Sequence, residues 1–586
     1  MREPRRGAGE PRLTVAPLSV QASRRAPTRW DLLAFGVVMA GFVLVALGSR
    51  GVLGTLEESA AVAASLDPTR LPWYAARTSL RMIVALVLST LFTFGYATLA
   101  AKNRRARAFL LPLLDILQSV PILGFVSAVV VLFMSLTPGR VLGAELVAVF
   151  AIFTSQVWNM TFSLYNSLVT LPRELDELAR SYRLGPWMRF WRVELPFALP
   201  PLVWNAMMSM SGGWFFVVAA ESISVGRSTV DLPGVGTYIA AALTASDLGA
   251  VGWAVLTMAV VILLYDVLLF RPLVAWSARF RYDTTAGHVE EPRSLVLEAL
   301  RRSRWVDALA GRAARLARRR TRPRPDAAVG AAPPDPTTLR RRDRAWGGFA
   351  AVVATASLLL VARYLQSEVS PAEVGHVLLL GVYTMVRVLV LVALASLVWV
   401  PVGVMVGLRP RLTAWVQPLA QFLAAFPANL LFPLAVWAIV RYGLDPNVWL
   451  SPLMILGTQW YILFNVTAGA AGIPGELRDA AANLQLKGWL WWRKLGLPAV
   501  FPTFLTGAIT ASGGAWNASI VAELVHWGND KVEAAGLGAY IVKATEAGDQ
   551  ARIVLGIAVM SLFVVVLNRA FWQPLQRRAS QGYRLE

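Results

Sequence analysis

Two polar segments, residues 172–196 and 474–498, carry the same residue types at the same spacing, and we call them the surface segments. In each, an acidic residue precedes a tryptophan by ten positions and a proline by nineteen: Glu177, Trp187 and Pro196 in the first, Asp479, Trp489 and Pro498 in the second. Acidic residues near the start of each segment suit the first turn of a helix, where the helix dipole favours negative charge. The pattern predicts a short helix, a turn and a second amphipathic piece that stops at Leu-Pro. The chemistry that it favours is recognition of a soluble partner.

The rest of the chain offers no constellation of residues for metal or nucleophilic catalysis. Cysteine is absent and the three histidines, His288, His376 and His526, are far apart in the sequence, so neither a thiolate site nor a histidine cluster is expected. No phosphate-binding Gly-x-x-x-x-Gly-Lys-Ser/Thr loop occurs, nor even a Gly-Lys dipeptide. We therefore predict that the chain is not an enzyme and holds no metal or cofactor. Energy from ATP would have to come from a separate subunit.

The composition predicts that the surface segments are held by helices that cross a membrane. Of the 586 residues, 56% are hydrophobic and 16% charged, whereas soluble domains have about 25% charged residues. A membrane-spanning helix needs about 20 mostly apolar residues. Twelve stretches are candidates: 32–48, 82–101, 108–135, 146–171, 197–220, 248–270, 346–362, 388–408, 412–440, 446–473, 499–522 and 553–572. The sequence therefore predicts an all-α polytopic membrane protein with about 12 transmembrane helices.

The basic residues lie between the apolar stretches and indicate the orientation of the chain. The net charge is +21, with seven arginines in residues 1–30 and seventeen in residues 277–345. Because basic loops remain on the cytoplasmic side, both termini and the middle linker are predicted to be cytoplasmic, and the charge reflects this sidedness, not nucleic-acid binding. The arm 1–30 enters the first apolar stretch without a cleavage site and is expected to be retained. Part of the linker has the pattern of a basic amphipathic helix on the inner leaflet, or it is only a tether.

Pairs of identical or similar residues at a constant distance reveal an internal repeat. Pro172, Glu221, Gly236 and Asp247 recur 302 residues later, and Thr78, Arg81, Pro112 and Pro121 recur 306 residues later. An even number of spans in each half makes the halves parallel, and parallel repeats place a shared pathway on the axis between them. The predicted organisation is a basic cytoplasmic arm 1–30, a first six-helix half 31–276, a basic cytoplasmic linker 277–345, a second six-helix half 346–575 and a cytoplasmic tail 576–586.

Polar residues within the apolar stretches are candidates for lining this pathway, because polar groups are costly in a bilayer. Glu221 and Glu523 have three interpretations: they line the outer mouth of the pathway, they hold the glycine-rich turn that follows them, or they are interfacial residues bonded to backbone amides. The small-residue runs beginning at Ser211 and Ser512 allow close helix packing or expose backbone to a cavity. The full set of candidates is Gln118, Gln156, Asn205, Ser211, Gly212, Glu221, Ser512, Gly513 and Glu523.

The surface segments resemble the "EAA" loops of the permease subunits of binding-protein-dependent ABC importers. The resemblance rests on an acidic residue, an alanine two positions later and a closing Leu-Pro, and it covers about residues 75–275 and 380–575. It implies a fold like that of type I ABC importers and a coupling role, in which the loops contact ATPase subunits. The residues to which it assigns that role are Glu177, Ala179, Arg180, Trp187, Leu195, Pro196, Asp479, Ala481, Asn483, Trp489, Leu497 and Pro498. The sequence departs from the motif at its glycine, which is replaced by Arg183 and Gln485, and Asp479 replaces glutamate.

The segments 213–221 and 515–523, each followed by a Gly-x-Gly turn (234–236 and 536–538), resemble more narrowly the permeases of the nitrate, sulfonate, taurine and bicarbonate type. The duplicated form is similar to anion-transport permeases that have a duplicated permease component. The resemblance implies an inner-membrane permease that imports a small anion, with two copies of an ABC ATPase subunit, which bind ATP and Mg²⁺, and an external solute-binding protein as partners. Two alternatives remain from the residues alone. An ion-coupled secondary transporter with two six-helix halves would need carboxylates near the membrane centre, and a membrane enzyme would need clustered acidic or histidine residues.

Overall fold

The computed structural model describes residues 29–52, 54–56, 65–119, 122–225, 228–280, 294–303, 359–527 and 530–582, with a few isolated positions between 304 and 358. The arm 1–28 and most of the predicted linker lie outside these residues. The first half and the start of the linker contain twelve described α-helices: α1 Arg29–Gly48, α2 Leu71–Lys102, α3 Arg104–Ser119, α4 Ile122–Leu136, α5 Val141–Val169, α6 Arg173–Ser181, α7 Pro186–Arg189, α8 Leu195–Glu221, α9 Val235–Thr244, α10 Leu248–Tyr265, α11 Arg271–Ser277 and α12 Leu295–Arg302.

The second half follows a similar order, with more interruptions. It contains α13 Pro371–Gly407, α14 Pro410–Ala425, α15 Phe432–Tyr442, α16 Pro446–Trp449, α17 Ser451–Leu456, α18 Trp460–Ala471, α19 Gly475–Asn483, α20 Gly488–Trp491, α21 Leu497–Ala522, α22 Leu537–Ala547, α23 Gln550–Leu567 and α24 Gln573–Gly582. Each half also has one short antiparallel hairpin that the sequence did not predict. Strand β1 Ser222–Val225 pairs with β2 Ser228–Asp231, and β3 Leu524–Trp527 pairs with β4 Asp530–Glu533.

The described residues contain eight helices that are long and apolar enough to span a membrane, or nine if one bent pair counts as a single span. The bent pair is α14 with the segment Ala428–Tyr442, which meet at 78°. The bend falls where Phe426 is extended, with φ −68° and ψ 125°, because a residue that precedes a proline is disfavoured in the helical region. Predicted span 108–135 is divided between α3 and α4. Span 346–362 lies mostly outside the described residues.

Predicted span 446–473 is also interrupted, and its interruption has no counterpart in the first half. Helix α17 ends at Leu456 and α18 begins at Trp460, whereas α5 is continuous through the equivalent positions. Within a bilayer, irregular backbone is tolerated where it is buried in protein or lines a cavity. The interruption at Gly457 and Thr458 meets this condition, because both residues line the cavity described below.

The prediction that Leu-Pro stops the second piece of each surface segment is wrong. Residues Phe190–Glu194 and Trp492–Gly496 form π-helical turns that run directly into α8 and α21. Proline has no backbone N–H and crowds the carbonyl of the preceding turn, and a wider π turn accommodates it without ending the helix. The same device precedes Pro272 and Pro574, where Asp266–Phe270 and Asn568–Trp572 are π-helical.

The two halves interlock, because each contributes side chains to the other's core. Leu430 of the second half is fully buried in the core of the first half, among residues of α2, α8 and α10. Asn517 accepts a hydrogen bond from the backbone N–H of Ile122 at 2.8 Å, and Asn429 donates one to the carbonyl oxygen of Phe215 at 3.3 Å. The halves are therefore joined by polar contacts as well as by apolar packing.

Candidate functional site

A buried cluster of charged residues joins the ends of α2, α5 and α8 that lie farthest from the first surface segment. Arg81 of α2 contacts Glu145 of α5 at 2.6 Å and Glu221 of α8 at 2.6 Å. Arg77, one turn earlier on α2, forms a second ion pair with Glu145. Both arginines and Glu221 are at most 2% exposed. The two cations and two carboxylates compensate one another, as buried charges must.

Glu221 also holds the turn that leads into α9. Its carboxylate accepts hydrogen bonds from the Thr78 hydroxyl at 2.6 Å and from the backbone N–H of Gly236 at 2.7 Å. Gly234 lies so close to this carboxylate that a side chain there would overlap it. Of the predicted roles for Glu221, the geometry therefore supports the one in which it holds the glycine-rich turn, and it does so through a bond to a backbone amide.

The second half has the same arrangement with half the charge. Glu523 accepts hydrogen bonds from Thr384 at 2.8 Å and from the backbone of Gly538 at 2.7 Å, and it pairs with Arg387 at 3.2 Å. The position equivalent to Glu145 is Asn447, whose side-chain oxygen accepts a hydrogen bond from Arg387 at 3.1 Å. Tyr383 stands where the first half has Arg77. One cation and one carboxylate have thus been replaced together, and the charge balance is kept.

The surface segments form the predicted short helices, α6 and α19, at the opposite ends of the spanning helices. One alanine of each helix is buried against the helices below, Ala179 at 1% exposure and Ala481 at 5%. The acidic residues Glu177 and Asp479 are exposed, as are Arg180 and Asn483. Trp187 and Trp489 follow on the second pieces and are 66% and 74% exposed. Each segment therefore seats an alanine inward and presents charge and an indole ring outward.

The departures from the motif's glycine keep the backbone conformation that glycine favours. Arg183 has φ 47° and Gln485 has φ 51°, both in the left-handed region. Residues other than glycine adopt this region at a cost. The turn after each helix is therefore the same in the two halves, despite the replacement of glycine by two different side chains.

The closing residues of the segments differ in how they are fixed. In the first, Glu194 is buried and pairs with Lys102 of α2 at 2.7 Å and with Arg189 at 2.8 Å. In the second, Gly496 replaces this glutamate, and the ring of Trp491 occupies the space that a side chain at Gly496 would fill. Leu195 is buried, Leu497 is exposed, and Pro196 and Pro498 lie between these extremes. An ionic clamp in one half thus corresponds to aromatic packing in the other.

A cavity of about 250 Å³ lies between the two halves. The first half contributes residues of α3, α5 and α8, and the second contributes residues of α14, α18, α21 and the interruption before α18. Its polar side chains include Gln118, Asn159, Tyr461, Asn517 and Asn568. Aromatic rings form much of the remaining wall: Trp158, Phe215, Phe216, Phe426, Trp516 and Trp572.

Five of the nine predicted pathway residues line this cavity, and four lie elsewhere. The five are Gln118, Ser211, Gly212, Ser512 and Gly513. Gln156 is fully buried between α2 and α8, with its amide nitrogen against Gly213. Asn205 donates hydrogen bonds to Ser163 at 3.2 Å and to the carbonyl oxygen of Pro201 at 2.9 Å. Glu221 and Glu523 belong to the two buried clusters.

Several residues of these sites were absent from the sequence-based candidates. Glu145 lies near the start of α5, immediately before a predicted span, and its charge beside an apolar stretch was a signal for a buried partner. Tyr461 and Asn517 line the cavity, but their repeat equivalents are Asn159 and Phe215. A search for residues common to both halves could not find them, because these positions differ between the halves.

Comparison with known proteins agrees with this architecture. The family model described as the inner membrane component of binding-protein-dependent transport systems matches twice, over residues 71–281 and 399–572, which is about two thirds of the chain. The bicarbonate transport system permease protein CmpB of Synechococcus elongatus is 31% identical over 186 residues, 32% of this chain and 63% of CmpB. The nitrate import permease protein NrtB of Leptolyngbya laminosa is 25% identical over 182 residues, 31% of this chain and 62% of NrtB.

A third relative is the putative aliphatic sulfonates transport permease protein SsuC of Bacillus subtilis, 28% identical over 177 residues, 30% of this chain and 60% of SsuC. The alignments thus span somewhat less than two thirds of the relatives' own lengths. The two family matches fall on the two halves of the internal repeat. The chain is a duplicated member of the family of inner membrane components of binding-protein-dependent transport systems.

Proposed function

We propose that this chain forms the membrane-spanning pathway of an ATP-driven importer for a small anionic solute. Its two halves form one pathway, and the cavity between them is the place where the solute crosses. An external binding protein delivers the solute, and two separate ATPase subunits supply the energy. The chain itself transports and does not hydrolyse ATP.

One observation carries the proposal: the two surface segments present the same motif from two differently built halves. Ala179 and Ala481 are buried at equivalent positions, while the neighbouring acidic residues and tryptophans are exposed. Large exposed apolar side chains beside charged groups are typical of protein interfaces. Two equivalent surfaces on one chain favour two copies of a partner or two related partners.

The orientation and the substrate class are proposed from the distribution of charge and from the relatives. Basic residues are concentrated in the arm and the linker, which favours cytoplasmic termini and a cytoplasmic position for the surface segments. An anionic solute is suggested by the relatives, whose names refer to bicarbonate, nitrate and aliphatic sulfonates. Selection among solutes would rest largely with the external binding protein.

The test is to purify the chain from its native membrane in mild detergent and to identify the proteins that accompany it. We expect an ABC ATPase at two copies per chain and an external binding protein. The complex is then reconstituted into vesicles, and uptake is measured with ATP or with an ion gradient, using a solute that stabilises the binding protein against heating. Uptake that follows the ion gradient and ignores ATP, in a complex without an ATPase, would replace this proposal with secondary transport.

A further inference from the structure

The cavity between the halves contains polar groups whose hydrogen-bonding capacity is unused. Gln118, Asn159, Tyr461 and Asn568 all line it. Within the described residues, no hydrogen bond involves any of these four side chains, and the Tyr461 hydroxyl faces the small residue Gly212 of the other half. Asn159, Tyr461 and Asn568 are half-buried, whereas Gln118 is exposed. Polar groups in a protein interior are normally paired. These side chains are therefore available to water or to a solute.

The described part of the lining has no formal charge. Among the described residues that line the cavity there is no aspartate, glutamate, lysine, arginine or histidine. Asp266 is the repeat equivalent of Asn568. It does not line the cavity and forms an ion pair with Arg271 at 2.7 Å, whereas the neutral Asn568 lines the cavity. Recognition in this cavity must therefore rely on neutral hydrogen-bond donors and on shape.

The two walls of the cavity differ in polarity, although they derive from one repeated unit. Gln118 and Asn517 lie on the same side, because Asn517 accepts a hydrogen bond from Ile122, just after α3. Their repeat equivalents, Ala424 and Phe215, lie on the other side, where Asn429 of the second half bonds to the Phe215 carbonyl. One wall therefore carries the Gln118 carboxamide beside that of Asn517, which is already bonded to Ile122 and to the carbonyl oxygen of Gly513. The other wall carries an aromatic ring and a methyl group.

The volume is larger than an inorganic ion requires. An apolar cavity of about 150 Å³ accommodates benzene, and this cavity measures about 250 Å³. An ion of four or five atoms would leave most of the space to water, against aromatic walls that gain nothing from hydration. A molecule of the size of a substituted benzene ring would fill the cavity and cover those walls.

We propose that the cavity binds a small organic solute with a hydrogen-bond-accepting head and an apolar body, and that it recognises the head without a counter-charge. Gln118 and Tyr461 donate to the head, and Phe215 packs on the body. Phe215, Gln118 and Tyr461 are the specificity-determining residues. This inference rests on the proposed transport function and narrows its substrate to organic solutes, in place of inorganic anions such as nitrate.

The test is saturation-transfer NMR on the full chain in lipid nanodiscs, with benzoate and its neutral analogue benzamide as probes. Both are expected to bind, with dissociation constants within about tenfold of each other, since no charged group distinguishes them. Nitrate and bicarbonate at equal concentration should not displace benzoate. Gln118→Ala and Tyr461→Phe should each weaken binding about five- to tenfold, the effect of one lost hydrogen bond. Phe215→Asn, which copies the polar wall, should weaken it further.

Asn205→Ala is the matched control, because Asn205 lies on α8 with Phe215 but does not line the cavity, and its binding should equal that of the parent. Displacement of benzoate by nitrate, or unchanged binding in all three cavity variants, would overturn the inference. The measurement needs neither ATPase nor binding protein. Failure of the cavity inference is therefore distinguishable from failure of the proposed function. In the first case ATP drives uptake but the cavity does not bind benzoate, and in the second the cavity binds benzoate but ATP does not drive uptake.

Discussion

Glu145 and Asn447 occupy equivalent positions in the two halves, and each contacts the equivalent arginine of its own half. Glu145 pairs with Arg81 at 2.6 Å, and Asn447 accepts a hydrogen bond from Arg387 at 3.1 Å. The neutral residue is accompanied by Tyr383 in place of Arg77. The difference between the halves is therefore a concerted exchange of one ion pair, which makes the energetic coupling between the two positions measurable.

The first half should tolerate the residues of the second half, Tyr383 and Asn447, only if Arg77 and Glu145 are replaced together. Arg77→Tyr or Glu145→Asn alone leaves an unbalanced buried charge and should cost about 3 kcal/mol. The double variant restores neutrality and should cost at least about 1 kcal/mol less than the sum of the single changes. Thermal unfolding of the purified chain, converted to free energies, provides the double-mutant cycle. Strictly additive effects would show that the two residues are not coupled.

The contact between Gly234 and Glu221 predicts that a methyl group at this glycine is not accepted. Gly234→Ala should destabilise the chain by about 1–3 kcal/mol, the range for overpacking, since the carboxylate is held in place by Arg81 and Thr78. Gly252→Ala is the control, because a side chain at this position in α10 meets no atom within 4 Å. The melting temperature in detergent should fall for the first variant and not for the second. Equal melting temperatures would mean that the turn relaxes freely.

Enlargement of the buried alanines of the surface segments should uncouple transport from ATP hydrolysis. Ala179→Glu and Ala481→Glu each force a charged side chain beneath a short helix, which should lift that helix from the bundle. ATP-driven uptake should be lost while the chain still elutes as a single species. Ala482→Glu is the matched control, because this neighbouring residue is exposed, and it adds the same charge without disturbing the packing. Full uptake by both buried-site variants would disprove the coupling assignment.

The clamp formed by Lys102, Glu194 and Arg189 predicts that the two surface segments respond differently to loss of charge. Glu194→Gln should speed hydrogen exchange in residues 173–194 and leave 475–496 unchanged, since the second segment is fixed by Trp491. Hydrogen-exchange mass spectrometry measures both segments in one sample. The second segment thus serves as the internal control. Faster exchange in both would indicate a general loss of stability and not a local clamp.

The left-handed conformation of Arg183 predicts that glycine, the residue of the motif, would stabilise the chain at this position. Arg183→Gly should raise the unfolding free energy by up to about 1 kcal/mol, because glycine adopts this region without a steric cost. Tyr182→Gly is the control, because Tyr182 has φ −81°, and glycine there should destabilise. A lower melting temperature for Arg183→Gly than for the parent would contradict this prediction. It would mean that the arginine side chain stabilises the chain by more than the steric cost of its left-handed backbone.

The sequence was sufficient for the repeat, for most of the spanning helices and for the two surface segments, because these depend on hydrophobic length and on recurring residue types. It also paired Arg81 with Arg387 and Glu221 with Glu523, but it could not show that arginine and glutamate meet, since 140 residues separate Arg81 from Glu221. The sequence indicates only part of the cavity lining. Its small residues recur in both halves, whereas Tyr461 and Asn517 have unlike equivalents, and their convergence depends on how the halves pack.

The presence of both cavity walls on one polypeptide has a consequence for how such a protein can change over time. In an assembly of two identical chains, every mutation would alter both walls at once. Here a single nucleotide change can replace Gln118 and leave Ala424 unchanged. One wall can therefore acquire contacts to a new solute while the other keeps its contacts to the old one. The covalent duplication gives the pathway twice as many independently variable positions, and it allows selectivity to shift in smaller steps.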